Sequence, residues 1–199
     1  MLSLKKNFLF VHIPKTAGNT IQDVLLEYSE DTKVTRTCQD GINCFGIVSE
    51  KYSTQKHSPL REYQQKLPEI LFNNLFKFTC VRNPWDRLIS FYFSPHRGKV
   101  NWDREAFIDF AQTVPPALSF LDTAASSQRS TNPIDFIIRY ENLENDFLTV
   151  CNRIDIPCKS LPHLNKSNRR YYKDYYDNDL IEFVHNLFAN EISLFGYTF

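Results

Sequence analysis

Residues 8–20 read FLFVHIPKTAGNT, and this stretch predicts how the chain folds. The almost continuous apolar run over residues 8–13 is typical of a strand that is buried on both faces. Residues 14–20 are mostly small and predict a loop. From Thr20 onward the apolar residues recur at steps of three and four, which indicates an amphipathic helix. Strand, loop and helix in this order are the start of a βαβ unit.

A second and a third strand repeat this order. Residues 76–81 (FKFTCV) predict a strand, after which Asn83 is a favourable N-cap and Pro84 a favourable first helical residue. Residues 134–140 (IDFIIRY) predict the next strand, and a helix is expected over residues 141–154. Strands therefore alternate with helices along the chain.

The alternation indicates the class of fold and the domain organisation. The chain ends in a long amphipathic helix, predicted over residues 177–195. We expect an α/β protein with three layers, α/β/α, around a central parallel sheet. Because 199 residues is about the size of one domain, we expect a single domain over residues 1–199. Two stretches, residues 32–67 and 98–133, do not fit the alternation, and we expect substrate-facing loops there.

The composition narrows the possible partners and compartments. The 23 basic residues equal the 23 acidic ones, so charge gives no reason to expect a nucleic acid partner. No signal peptide is visible and no apolar run approaches the ~20 residues that span a bilayer, so we expect a cytoplasmic protein that does not cross a membrane. The five cysteines form no C-x-x-C pair or metal-like cluster, so we expect reduced thiols and no metal.

Residues 12–20 (HIPKTAGNT) are the first candidate for a binding site. A strand that leads through a small-residue loop into a helix directs backbone N–H groups and the positive helix end to one place. Lys15 and the hydroxyl groups of Thr16 and Thr20 would strengthen an anion site there. The loop is not a Walker A motif, because Lys15 precedes its single glycine. An ordinary turn with an exposed lysine is the alternative interpretation.

Two further segments carry groups that bind anions. In residues 81–92 (VRNPWDRLISFY), Arg82 ends a strand beside a helix N-terminus, where a guanidinium can bind a phosphate. Ser90 shares a helix face with Asp86, and a simple ion pair between Arg82 and Asp86 is the alternative. Residues 163–173 (HLNKSNRRYYK) contain four basic residues and no acid, although a solvated loop is the simpler interpretation of this segment alone.

Taken together, the motifs resemble one enzyme family. This family is the carbohydrate-type group of PAPS-dependent sulfotransferases, which includes heparan sulfate 2-O-sulfotransferase and smaller bacterial members; PAPS is 3′-phosphoadenosine-5′-phosphosulfate. The resemblance extends from Phe8 to Phe199. It rests on five motifs in order: HIPKTAGNT (12–20), VRNPWDRLISFY (81–92), DFIIRYENLENDF (135–147), LPHLNKS (161–167) and LFGYTF (194–199).

The resemblance implies a P-loop-like sulfotransferase fold, PAPS as co-substrate and PAP as its product. It implies that the first motif holds the 5′-phosphosulfate, that Arg82 with Ser90 holds the 3′-phosphate, and that residues 166–170 lie over the nucleotide. The donor-binding residues expected on this basis are Lys15, Thr16, Ala17, Gly18, Asn19, Thr20, Arg82, Ser90, Lys166, Ser167, Arg169 and Arg170.

The resemblance also implies the reaction, an in-line transfer of the sulfuryl group to an acceptor hydroxyl that we expect on a glycan or glycolipid. Such a transfer depends mainly on positioning and on stabilising charge. We expect Lys15 to stabilise the leaving group. His57 lies between the two phosphate motifs, where similar enzymes place a histidine near the acceptor, and we expect it to be the general base. A carboxylate base stays open, with Glu62 as the candidate.

Two other functions are alternatives at this stage. A P-loop-like kinase that uses ATP and Mg²⁺ is disfavoured because the GK[ST] order is missing. It also lacks a clear Walker B carboxylate, since Asp135 lies at the start of its apolar run rather than at the end. The other alternative is a catalytically silent nucleotide-binding module, against which the presence of Lys15 and His57 argues.

Overall fold

The computed structural model of the protein describes residues 1–35, 45–122, 133–161 and 169–199. The strands in these residues form two sheets. Within these residues the strands are β1 (Leu2–Ser3), β2 (Phe8–Val11), β3 (Thr32–Thr35), β4 (Phe45–Ser49), β5 (Thr54–Gln55), β6 (Phe76–Val81) and β7 (Phe136–Arg139). The central sheet has the order β1-β2-β6-β7, in which β2, β6 and β7 are parallel and β1 is antiparallel to β2. The three strands predicted from the sequence are confirmed as neighbours in a sheet with parallel pairing.

Both faces of the central sheet are buried, as the apolar runs predicted. All four residues of β2 are buried, and successive side chains of a strand point to opposite faces. Phe8 and Phe10 join one hydrophobic cluster together with Phe78 of β6. Leu9 and Val11 join a second cluster. The sheet therefore separates two parts of the core.

Helices complete both clusters and add a third. Within the described residues the helices are α1 (Gly18–Leu25), α2 (Leu60–Lys66), α3 (Glu69–Asn74), α4 (Pro84–Tyr92), α5 (Arg104–Thr113), α6 (Leu143–Arg153), α7 (Asn178–Leu187) and α8 (Ala189–Phe195). α1 and α6 contribute to the first cluster, and α2, α3 and α8 to the second. α4, α5 and α7 contribute most of the third cluster, and Ile192 of α8 also belongs to it. The protein is of the α/β class, as predicted, whereas its assignment to a three-layer, P-loop-like fold stays a prediction.

The start of α4 follows the predicted capping pattern. Asn83 is the N-cap, and its side chain accepts hydrogen bonds from the backbone N–H groups of Trp85 and Asp86. Pro84 is the first helical residue, where its missing N–H costs nothing. The helix therefore begins directly after β6, next to the end of β2.

The long helix predicted over residues 177–195 is wrong, because the structure has two helices there. Phe188 leaves the helical conformation, with φ −118° and ψ 24°, and it separates α7 from α8. Its side chain is 3% exposed and packs in the third cluster. Because only one residue leaves the helical conformation, the apolar residues of α7 and α8 keep almost the spacing of one continuous helix. The sequence pattern therefore did not reveal the break.

The two stretches predicted as loops contain regular structure. Residues 32–67 include a second, antiparallel sheet in the order β3-β4-β5, followed by α2. β3 exposes most of its residues, so it lacks the alternation that identifies a half-buried strand. Residues 98–133 include α5, which is capped by the side chain of Asp103. Among the described residues, no helix is both long enough and apolar enough to cross a membrane.

Candidate active site

The loop between β2 and α1 has the backbone shape of an anion-binding turn. Lys15 and Ala17 have positive φ values of 69° and 68°, while Thr16 between them does not. An alternation of this kind curves the chain so that successive N–H groups line one concave side. α1 begins at Gly18, two residues earlier than predicted, and its positive end lies directly behind the loop.

Two arginines of the second motif hold this loop by its carbonyl groups. Arg82 Nη1 donates to the carbonyl oxygen of Lys15 at 3.2 Å. Arg87 Nε donates to the carbonyl oxygen of Pro14 at 3.1 Å. The loop after β2 is therefore tied to the segment that follows β6, and the parallel pairing of these strands brings the two segments together.

The side chain of Lys15 reaches the far end of α4. Its Nζ lies 3.0 Å from the Oγ atom of Ser94, a residue with no exposed surface. Lys15 itself is half-buried. The ammonium group is therefore held in a definite place beside this loop.

Arg82 lies in a cluster of charged and aromatic groups. Its Nε atom donates to Asp86 Oδ2 at 2.9 Å, and its guanidinium stacks over the ring of Tyr140 at 3.8 Å. Asp86 Oδ1 in turn accepts a hydrogen bond from Arg169. The ion pair between Arg82 and Asp86, which was the alternative interpretation of this motif, is present, but Arg82 also contacts the loop at Lys15.

His57 contacts the start of the same loop. Its Nδ1 atom lies 3.0 Å from the carbonyl oxygen of His12. A carbonyl only accepts, so Nδ1 carries the hydrogen and the lone pair of the neutral ring is on Nε2. The ring of His57 is half-buried and lies 4.3 Å from the ring of His12, centroid to centroid.

A tight turn between β5 and α2 positions His57. The backbone N–H of Gln55 donates to Ser58 Oγ at 2.8 Å, and the N–H of Ser58 donates back to the carbonyl of Gln55 at 3.0 Å. Lys56 is buried, and its Nζ donates to the carbonyl of Phe45 at 2.8 Å. The residues on both sides of His57 are therefore anchored.

The glycine of the first motif makes room for His12. A Cβ atom at Gly18 would lie 1.8 Å from His12 Cδ2, far inside van der Waals contact. The His12 ring is 3% exposed, and its Nδ1 atom lies 2.9 Å from Oε1 of Gln22. The glycine is thus needed for close packing of helix on strand rather than for an unusual φ.

Glu62, the alternative base, lies on α2 and has a different environment. Partial burial works to raise the pKa of this carboxyl, but hydrogen bonds from Lys66 and Ser58 outweigh it, so the pKa of Glu62 is lowered. Lys66 also forms an ion pair with it. A carboxylate that is stabilised in its charged form is a weaker proton acceptor.

The other predicted donor-binding residues differ in their burial and in their contacts. Ser90 is buried on α4, and Asn19 and Thr20 are buried in the first turn of α1. The Thr16 hydroxyl donates to the carbonyl of Ile13 at 2.8 Å, so it supports the loop from within. Exposed Arg170 packs over the Tyr175 ring instead of joining Asp86. The predicted residues Lys166 and Ser167 lie outside the described residues.

The site includes residues that were not predicted from the sequence. Ser94 contacts Lys15, Arg87 binds the loop, and Gln22 holds His12. Of these, Arg87 carried a signal, because a charged residue between the apolar Trp85 and Leu88 interrupts the buried face of a helix. The others are common polar residues whose partners are distant in sequence.

The arrangement brings cationic side chains and a histidine ring to one loop. The Asp86 carboxylate bridges Arg82 and Arg169, and Arg82 also contacts the backbone carbonyl of Lys15, whose ammonium group lies at Ser94. His57 offers Nε2 close to the same loop. Across the described ranges, no group of three or more histidine, cysteine, aspartate or glutamate side chains could hold a metal ion.

A family model is the comparison that shows the family. A family model described as "Sulfotransferase family" matches residues 1–198, which includes the loop, both arginine positions and His57. An uncharacterized protein of Archaeoglobus fulgidus is 32% identical over 89 residues, which cover 44% of this chain and 73% of that protein. No solved structure matches the chain. Since the family model covers almost every residue, the chain belongs to the sulfotransferase family, whose reaction is the transfer of a sulfuryl group.

Proposed function

We propose that the protein transfers a sulfuryl group from PAPS to a hydroxyl group, which we expect on a carbohydrate. The observation that carries the proposal is the 3.2 Å hydrogen bond from Arg82 to the carbonyl of Lys15, because it joins the two segments predicted to bind opposite ends of the donor. Arg169, from the third basic segment, is joined to them through Asp86. These two contacts link the three segments that would meet the donor.

The chemistry of these residues fits a nucleotide with a phosphate at both ends. The curved loop and the start of α1 offer backbone N–H groups for the 5′-phosphosulfate. Arg82 and Ser90 offer a guanidinium and a hydroxyl for the 3′-phosphate, and both are largely buried. When bound, PAPS would supply an activated sulfuryl group. The protein would supply the positions and the charges.

Lys15 is proposed to stabilise the charge that develops on the leaving group. In the transfer a bond forms between the acceptor oxygen and sulfur, and the bond between sulfur and the bridging oxygen breaks. The electron pair stays on the phosphate of PAP, so negative charge increases there. A preorganised ammonium at this place lowers the barrier, and the hydrogen bond from Lys15 to Ser94 supports such preorganisation.

His57 is proposed to take the proton of the acceptor hydroxyl. The hydrogen bond from Nδ1 to the His12 carbonyl fixes the ring and leaves Nε2 as the proton acceptor. His57 is favoured over Glu62, because Lys66 and Ser58 stabilise the charged form of that carboxylate. The proton would leave the acceptor oxygen as its bond to sulfur forms.

The carbohydrate acceptor is the part of the proposal that depends on the resemblance alone. We expect the hydroxyl group of a glycan or glycolipid. A P-loop-like kinase and a catalytically silent nucleotide-binding module are the two alternative functions that experiments must exclude. The structure adds no specific support for either of these two.

A thermal-shift titration tests the donor. PAP and ATP with Mg²⁺ are titrated separately, and a ligand present at 100 times its Kd stabilises the folded protein by ~2.7 kcal/mol. We expect a rise in Tm with PAP only. A rise with ATP and Mg²⁺ alone would favour the kinase. If PAP binds but PAPS is not turned over with any of a panel of sugar, lipid and phenol hydroxyls, the silent module would be favoured.

A further inference from the structure

Arg87 is one of the most deeply buried charged residues of the protein. Its side chain is 2% exposed, and so is that of Glu191 on α8, whose Oε1 atom lies 3.9 Å from Arg87 Nη1. Burial lowers the pKa of Arg87 to about 10 and raises the pKa of Glu191. A buried ion pair of this kind is costly to desolvate and is often no more stable than apolar residues of the same size. Stability alone therefore does not explain why this buried ion pair is present.

The contacts of Arg87 point to that reason. Nε donates to the carbonyl of Pro14 at 3.1 Å, and Nη2 donates to the carbonyl of Pro115 at 3.0 Å. Two nitrogens of one planar guanidinium thus bind two backbone segments that are about a hundred residues apart. Glu191 also accepts a hydrogen bond from the N–H of Ala117, so it fixes the second segment as well.

The bond to Pro14 determines where the next N–H group points. In a trans peptide the C=O of one residue and the N–H of the next point in roughly opposite directions, and the described residues contain no cis peptide. Because the Pro14 carbonyl points to Arg87, the N–H of Lys15 points away from it. By the same argument, the Arg82 bond to the Lys15 carbonyl directs the N–H of Thr16.

The loop needs such support, because its backbone is strained. Lys15 and Ala17 are non-glycine residues with positive φ, a conformation that costs of order 1–3 kcal/mol and persists where the surroundings impose it. Arg87 binds the carbonyl of Pro14, the residue before Lys15, and Arg82 binds the carbonyl of Lys15 itself.

We propose that Arg87 is a positioning residue that holds the anion-binding loop in its binding shape and couples it to the segment at Pro115. It acts through the loop backbone and does not touch the donor. This inference rests on the proposed function, since it takes the loop as the site of the 5′-phosphosulfate. Arg82 orients the neighbouring peptide and is also proposed to bind the 3′-phosphate, whereas Arg87 serves the 5′ side alone.

The test compares three variants with the wild type. Arg87→Lys keeps the charge next to Glu191, but its ammonium group lacks the fixed planar fork of donors that contacts both carbonyls. Arg87→Met combined with Glu191→Gln removes both buried charges, so it guards against a variant that fails to fold. Glu191→Gln is the matched control, because it weakens the ion pair while Arg87 keeps both carbonyl contacts.

The measurements are calorimetric titrations with PAP, adenosine 5′-monophosphate and adenosine 3′-monophosphate, each well below the Tm of the variant. We expect both Arg87 variants to bind PAP and the 5′-monophosphate about tenfold more weakly or worse, since small displacements of binding groups are costly. Binding of the 3′-monophosphate should change little. Glu191→Gln should lower the Tm and leave the three affinities nearly unchanged.

Three results would overturn the inference. One is wild-type affinity for PAP in both Arg87 variants. Another is that the affinities for the 5′- and 3′-monophosphates fall equally, and in proportion to the loss of Tm, in every variant including Glu191→Gln. That pattern would indicate a merely structural role for Arg87. A wild-type protein that does not bind PAP would overturn the proposed function itself, and this inference with it.

Discussion

The Nδ1 atom of His57 donates a hydrogen bond to the carbonyl oxygen of His12, at a distance of 3.0 Å. This bond attaches the proposed base to the end of β2, where the proposed anion-binding loop begins. Because the acceptor is a backbone atom, the position of His57 follows the strand and not a flexible side chain. The base and the loop therefore share one rigid support.

His57→Asn separates the positioning of this residue from its basicity. The asparagine amide can donate to the His12 carbonyl in place of Nδ1, but it offers no basic nitrogen. We expect turnover of PAPS to fall by about 10²–10⁴-fold, the usual effect of losing a general base, while the PAP affinity and Tm stay near the wild-type values. Steady-state kinetics and calorimetry check this. Wild-type turnover in the variant would show that His57 is not the base.

Lys15→Ala tests the proposed stabiliser of the leaving group. Loss of a preorganised charge at such a place typically lowers turnover by about 10²–10³-fold, and the PAP affinity should also fall. Ser94→Ala is the control, because it removes the hydroxyl that Lys15 contacts at 3.0 Å but keeps the ammonium group. Its effect on turnover should be much smaller. Equal effects of the two substitutions, or unchanged kinetics in Lys15→Ala, would contradict the role.

Gly18→Ala should displace His12 and, through it, the proposed base. The added Cβ would lie 1.8 Å from the His12 ring, and overpacking of this kind costs about 1–3 kcal/mol or more. We expect a lower free energy of unfolding in urea and a loss of turnover. In a His12→Ala background the same substitution should cost much less stability, since the ring that it strikes is gone. Additive losses in the double variant would argue against the clash.

Ser90→Ala tests which end of the donor α4 binds. Removing one hydroxyl contact to the 3′-phosphate should weaken PAP binding by about 1 kcal/mol, or about fivefold. Binding of adenosine 5′-monophosphate, which lacks that phosphate, should not change. Titration of both ligands decides the matter, and an equal loss for the two would place Ser90 away from the 3′-phosphate.

Much of the fold and part of the site follow from local sequence. The apolar runs predicted β2, β6 and β7, and Asn83 with Pro84 predicted the start of α4. The loop with Lys15 was identified because a strand, small residues and a helix follow one another directly. These features depend on neighbours in the chain, so propensity, periodicity and capping are enough to predict them.

The contacts that build the site were decided only by tertiary structure. Lys15 and Ser94 are 79 residues apart, Arg87 and Pro14 are 73 apart, and His57 and the His12 carbonyl are 45 apart. No local pattern pairs such residues, because their distance depends on how β2 and β6 align and on how the helices pack against them. Local sequence predicts the strand–loop–helix units and the resemblance to the family, whereas the packing of those units determines which side chains hold the loop and the proposed base.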